Sequence, residues 1–141
     1  MAEANRLDWD VRSGTGEGAA FLALGWVRAA VRAQCGFDPF PGTLNVALTS
    51  SDSLARWRRI LKESGVPLTA PSPGACGGRC FPVSVAGKVR GAVVVPDVTR
   101  YGEELLEVIA PVHLRSHLGL RDGDRVQLTL LSIEGEPWPT T

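Results

Sequence analysis

No apolar run in this 141-residue sequence is long enough to cross a bilayer as a helix. The longest, Gly91–Pro96 and Leu105–Pro111, fall far short of the roughly 20 residues required. The N-terminus, Met1 to Arg6, has neither the basic start nor the apolar stretch of a secretion signal. Cysteine is scarce and odd in number, three in all, which argues against a disulfide framework and suits a reducing compartment. Net charge is missing too, because fifteen basic and fifteen acidic side chains cancel. There is thus no overall basic excess for nonspecific nucleic-acid binding, though a local basic patch is still allowed. No Gly-x-x-x-x-Gly-Lys-Ser/Thr occurs, which excludes a P-loop. Internal repeats and long low-complexity runs are lacking. These absences lead us to expect a cytoplasmic protein with neither membrane nor nucleic acid among its partners.

What is present suits one compact domain. With 44% apolar and 21% charged residues the chain can bury a core. The domain is expected over residues 1–133, followed by a loose polar tail, 134–141, that holds Pro137 and Pro139. Strands are expected at Leu7–Arg12, Leu44–Leu48, Phe81–Val85, Val89–Val95, Leu105–Ala110 and Arg125–Ile133. The later part of 21–35 predicts a helix ending at Gly36. The 51–64 stretch predicts another, with Ser51, Asp52 and Ser53 as capping residues, Leu54, Trp57 and Leu61 on one face, and Gly65 after it. A third, short helix is predicted over Pro111–Leu118, with Pro111 in its first turn and Gly119 beyond. Residues 37–42, with prolines at 39 and 41, form a rigid loop, 69–78 form another, and Asp122-Gly123 is a turn. About six strands with helices inserted between them, not alternating with them, favour a small β-barrel or α+β domain over a doubly wound sheet.

Four places could carry chemistry. In Gly14-Thr15-Gly16-Glu17-Gly18-Ala19, glycines allow successive N–H groups to converge on an anion; a plain flexible hairpin is the competing reading. Gly14, Gly16 and Ala19 also satisfy the spacing of the dinucleotide fingerprint. That reading is rejected, because Asp8-Trp9-Asp10 is too polar for a buried parallel strand and Asp38 lies in the proline loop. Thr43 and Asn45 flank Leu44 on a strand, so their oxygens share a face and suit a hard cation held with phosphates; satisfying the turn is the alternative. Glu107 interrupts an apolar strand, where desolvation would suit a general base and an outward-facing surface residue is the plainer reading. Finally, Cys76, Cys80, His113 and His117 offer four zinc-type ligands. The loop at Cys76 is unlike a zinc knuckle and Cys80 adjoins an apolar strand, so zinc is not expected.

In order along the chain these segments resemble a known family. Gly14-Thr-Gly-Glu-Gly18, then Gly36-Phe-Asp-Pro-Phe-Pro-Gly-Thr-Leu-Asn45, then Pro96-Asp-Val-Thr99, Glu107-Val-Ile-Ala-Pro111 and His113-Leu-Arg115 through Leu120-Arg-Asp-Gly-Asp124 are similar to the archaeal-type CTP-dependent riboflavin kinases. The likeness covers about residues 7–131. It implies a mainly β fold, a six-stranded cradle-loop barrel, and transfer of the γ-phosphate of CTP to the ribityl 5′-hydroxyl of riboflavin, giving FMN and CDP. It further implies nucleotide binding by Gly14, Thr15, Gly16, Glu17, Gly18, Ala19, Val112, His113, Leu114 and Arg115. Flavin contacts fall on Thr99 and Glu107, the latter catalytic, and Mg2+ ligation on Thr43 and Asn45. Thr15 and His113 depart from the residues usual in the family. The expected partners are therefore riboflavin, FMN, CTP and CDP, with the protein a monomer. Some relatives carry an N-terminal helix-turn-helix domain; since this sequence opens directly on the expected barrel, none is expected here. A non-catalytic flavin- or nucleotide-binding module on the same barrel is the alternative function. A DNA-binding swapped-hairpin barrel, suggested by Leu120 to Asp124, is disfavoured by the neutral charge.

Overall fold

Leu7, Trp9 and Val11 alternate with Arg6, Asp8, Asp10 and Arg12, and the strand they build, β1 (Arg6–Arg12), buries the apolar three. The structure, a computed structural model, describes residues 6–12, 25–40, 42–48, 50–63, 65–68, 77–96 and 105–131. Gly14–Ala19, Cys76, Thr99 and the tail lie outside the described residues. After β1 come α1 (Gly25–Cys35), β2 (Leu44–Ala47), α2 (Ser51–Glu63) and β3 (Val66–Leu68). They are followed by β4 (Gly78–Val85), β5 (Val89–Pro96), β6 (Leu105–Ile109), α3 (Leu114–Leu118) and β7 (Arg125–Leu130).

The sheet runs β3-β4-β5-β6-β2-β1-β7, and β7 returns to pair with β4. Six strands thereby close into an antiparallel barrel, the six expected from sequence, and β3 lies outside the ring as a flange on β4. Sequence reasoning missed β3, because three residues with a central proline show no usable period. Its edge position tolerates Pro67. β4 changes partner along one edge, from β3 at Gly78–Cys80 to β7 at Val83–Val85. Pro82 sits at that changeover, where its missing N–H does little harm and its carbonyl accepts from Leu131 N–H at 2.8 Å. β1 is antiparallel to both its neighbours, whereas the dinucleotide reading rejected above needs a parallel strand.

Two clusters bury the apolar residues. Inside the barrel Leu7, Trp9, Val11, Leu44, Val46, Phe81, Val93, Val108 and Leu128 pack together. Trp57 of α2 enters that cluster and meets Trp9 edge-on at 5.8 Å and Phe81 at 5.0 Å. Removing a fully buried ring of this size costs about 3–5 kcal/mol. The cap of α2 is Ser50, one residue before the expected ones: its Oγ accepts from Ser53 N–H at 3.0 Å. Gly65 follows the helix at φ +112, and a Cβ there would strike the Phe81 ring at 2.8 Å.

The second cluster lies outside the barrel wall. Val27, Val31 and Cys35 of α1 cover Val66 and Leu68 of β3, Cys80 of β4, Ala92 and Val94 of β5, and Ile109 of β6. The outer face of this wall is therefore a buried surface. Close approach of β5 to β6 depends on Gly91, where any Cβ would overlap the Ile109 carbonyl oxygen.

Candidate active site

Strand alternation sets the first part of the site. On β2, Leu44 and Val46 face the barrel interior, which places Asn45 on the outer face. On β6, Leu106 and Val108 face inward, so Glu107 shares the outer face with Ile109. Antiparallel register puts Asn45 opposite Glu107, and Arg12 at the end of β1 opposite Asn45. Arg12, Asn45 and Glu107 thus form a row across three strands. Both sequence readings of Glu107 contain part of the answer. It points out of the barrel, yet it is only 3% exposed. Its register partner Val94 and its neighbour Ile109 belong to the cluster beneath α1, and that cover desolvates the outer face.

Thr43, just before β2, donates its hydroxyl to Glu107 Oε1 at 3.1 Å. Asn45 Oδ1 is buried without a hydrogen-bond partner among the described residues. An orphaned acceptor costs about 1–3 kcal/mol, so this atom suits a ligand that the described residues do not supply. A neutral amide oxygen beside a hydroxyl oxygen and a carboxylate is an oxygen-only donor set, the type preferred by Mg2+.

The loop after α1 joins this row to a second group. Asp38 accepts from Arg32 at 3.1 Å and Arg28 at 3.4 Å, which ties the loop back to the helix. The hydrogen bond from Arg32, reinforced by both guanidinium charges, holds the Asp38 carboxyl below the usual range. Further along, Phe40 N–H donates to the Ala110 carbonyl at 2.7 Å, and Gly42 N–H donates to Phe40 O at 2.8 Å. The Phe40 ring lies 5.2 Å from the His113 ring, tilted by 44°. His113 Nδ1 is 2.6 Å from Ser116 Oγ.

Residues 111–113 are not helical, in contrast to the sequence expectation. His113 is extended (φ −74, ψ 102), and α3 begins at Leu114. The preceding Ala110 carbonyl is committed to Phe40, so it does not start a helical turn. The α3 helix ends as expected at Gly119, which is left-handed at φ 66. Leu114 is buried in the barrel cluster, so any ligand contact there would be through its backbone. Val112 packs partly against the same cluster. Arg115 donates to the Arg12 carbonyl at 2.9 Å and pairs with Asp122. It thereby fastens α3 to the end of β1, two residues before the glycine-rich segment begins at Gly14.

The structure therefore brings Thr43, Asn45 and Glu107 together, and Phe40 links them to the 112–115 segment. Phe40 and Arg12 were not singled out from the sequence. An aromatic between two prolines in a rigid loop was the available signal for Phe40; the placement of Arg12 needed the strand register. Of the four zinc-type residues Cys76 lies outside the described residues, and no group of three or more His, Cys, Asp or Glu that could hold a metal occurs among the described ones. Cys80 faces Cys35, sulfur to sulfur at 2.8 Å, both as free thiols. That shared hydrogen bond and burial push the Cys80 thiol up, away from the thiolate a metal requires.

Comparison with known proteins shows the family. The family model CTP-dep_RFKase, described as a domain of unknown function (DUF120), matches residues 11–130. The chain belongs to this family. A riboflavin kinase of Methanocella arvoryzae is 42% identical over 120 residues, covering 85% of this chain and 54% of the relative. One from Methanosarcina mazei is 42% identical over 135 residues, with 92% and 59% covered. Another, from Pyrobaculum arsenaticum, is 41% identical over 133 residues, with 89% and 60% covered. The chain thus spans a little over half the length of these relatives. The closed six-stranded barrel accords with the fold that the family resemblance implied.

Proposed function

We propose that this chain is a CTP-dependent riboflavin kinase domain, transferring the γ-phosphate of CTP to the ribityl 5′-hydroxyl of riboflavin to give FMN and CDP. The observation that carries this reading is the buried Glu107 carboxylate, held by Thr43 and set opposite the orphaned Asn45 oxygen. Phosphoryl transfer asks little covalent chemistry of a protein and much positioning. Glu107 would accept a hydrogen bond from the ribityl hydroxyl and take its proton as the new O–P bond forms. Thr43 would keep the carboxylate oriented through the bond to Oε1. Thr43 and Asn45 would hold a divalent cation, which when bound draws charge from the phosphate oxygens. Backbone N–H groups of Gly14–Ala19, together with the 112–115 segment, would position the nucleotide, and Thr99 would contact the flavin.

The family name and the relatives' shared name support this donor and acceptor. The lack of a P-loop motif agrees with a donor site unlike that of common ATP-using kinases. The test is FMN formation from riboflavin with each of the four ribonucleoside triphosphates and Mg2+. CTP should be the best donor by a wide margin. Equal or faster turnover with ATP at matched concentration would refute the donor assignment, and no FMN with any triphosphate would refute the kinase reading.

A further inference from the structure

Cys35 and Cys80 take no part in the chemistry described so far. Cys35 is the last residue of α1 and Cys80 lies in β4, 45 residues on, so their contact crosses the interface between helix and barrel wall. Both are free thiols, 4% and 0% exposed, with the sulfurs 2.8 Å apart. A buried cysteine is often no more than a small apolar side chain. Here, however, the other buried members of the cluster are all aliphatic, and the two sulfurs meet each other within it. A metal would need further ligands, and no group of three or more His, Cys, Asp or Glu occurs among the described residues. What the pair does suit is a bond between its own two sulfurs.

A disulfide needs its sulfurs about 2 Å apart, and this pair needs only a small shift to reach that. The two thiols differ in access. Cys35 ends α1 and is followed by Gly36 in the left-handed conformation at φ +81, so fraying of the last helical turn exposes it. Cys80 is held between Val66 of β3 and Val94 of β5 and stays in place. The hydrogen bond from Cys80, opposed by burial and aided by the charge of Arg90, holds the Cys35 thiol below its usual range. Cys35 is therefore the readier thiolate. We propose that Cys35 and Cys80 form a reversible thiol–disulfide site, oxidised by low-molecular-weight disulfides, that staples the end of α1 to the barrel wall. The Cys35 thiolate attacks one sulfur of the small disulfide, whose S–S bond breaks and whose other half departs as a thiolate. The Cys80 sulfur then attacks Cys35 and expels the remaining half. The protons of the two cysteines end on the two departing thiols, so the protein loses two electrons and the small disulfide gains them. Reducing conditions run the same exchange backwards. Cys80, Val94 and Glu107 are successive register partners across β4, β5 and β6, so the bridge anchors the cover over the face that holds the carboxylate. The inference does not depend on the kinase reading.

The experiment treats the folded parent chain with excess oxidised glutathione, then unfolds it, alkylates the remaining thiols and maps linked peptides by mass spectrometry. Cys76→Ala is treated in the same way, because Cys76 lies four residues from Cys80 and is the competing partner. A bridge between Cys35 and Cys80 is expected in both proteins, and dithiothreitol should remove it. Closing a loop of this length should raise the melting temperature by roughly 5–20 °C. The amides of α1, residues 25–35, should exchange hydrogen more slowly in the oxidised form. Cys35→Ala and Cys80→Ala should melt near the reduced parent and gain nothing from oxidation. The proposal fails if every cysteine is still alkylated, if glutathione remains attached to Cys35, or if the bridge formed uses Cys76. It also fails if the correct bridge leaves melting and helix exchange unchanged, or lowers the melting temperature. The pairing is decided on the parent and Cys76→Ala alone, so a buried variant that does not fold leaves the test intact.

Discussion

Replacing Glu107 by glutamine tests the chemistry most directly. The side chain is 3% exposed and accepts a hydrogen bond from Thr43 at 3.1 Å. Glutamine has nearly the same volume and keeps an oxygen to accept from Thr43. Folding stability should therefore change by no more than about 1 kcal/mol. The amide cannot take a proton. If the carboxylate acts as the base, the rate should fall by ~10²–10⁴-fold, equivalent to about 3–5 kcal/mol in the barrier. Riboflavin affinity should fall much less, because an amide oxygen still accepts from a hydroxyl. The assay is kcat for FMN formation at saturating CTP and riboflavin, with riboflavin affinity measured separately by flavin fluorescence. A kcat within a few-fold of the parent would remove Glu107 from the mechanism. A melting temperature far below the parent's would mean that glutamine disturbs the covered outer face, and Glu107 would then be chiefly structural.

Three further outcomes follow from other parts of the molecule. Thr43→Val and Asn45→Ala should each raise the magnesium concentration needed for half-maximal activity and weaken CDP binding while the domain stays folded; magnesium and CDP titrations like the parent's would refute the cation assignment. Gly91→Ala should destabilise the barrel by roughly 1–3 kcal/mol, because its Cβ meets the Ile109 carbonyl, a backbone atom that cannot swing aside; an unchanged denaturation midpoint would contradict that contact. Asp38, held below the ordinary carboxylate range by Arg32 and Arg28, adds stability above that range and loses it as pH falls through its folded value. Asp38→Asn should therefore flatten the acid side of the stability profile between about pH 5 and pH 2, less so in high salt. A profile that superimposes on the parent's would show the ion pairs to be idle.

Local pattern was enough to determine the strands of the barrel wall and two of the three helices. Alternation in 7–12 and the apolar runs at 81–85 and 89–95 are signals carried by neighbouring residues, and the structure keeps them. The Thr43-Leu44-Asn45 spacing predicted two oxygens on one face; Asn45 lies on the outer face of β2, and Thr43, just before the strand, reaches Glu107 on that same face. Sequence could not decide whether Glu107 was buried or merely outward-facing, since that depends on α1, some 70 residues earlier in the chain, covering the outside of the wall. It could not place Arg12 beside Asn45, because strand register is a property of two segments and not of either alone. The third helix was started too early because Pro111 suits a first turn, whereas the Ala110 carbonyl is claimed by Phe40 from a distant loop. The same long-range bond sets Phe40 against His113. Local propensity thus determined which segments became strands and helices. Closure of the barrel and docking of α1 determined which outer-face side chains met and lost contact with water.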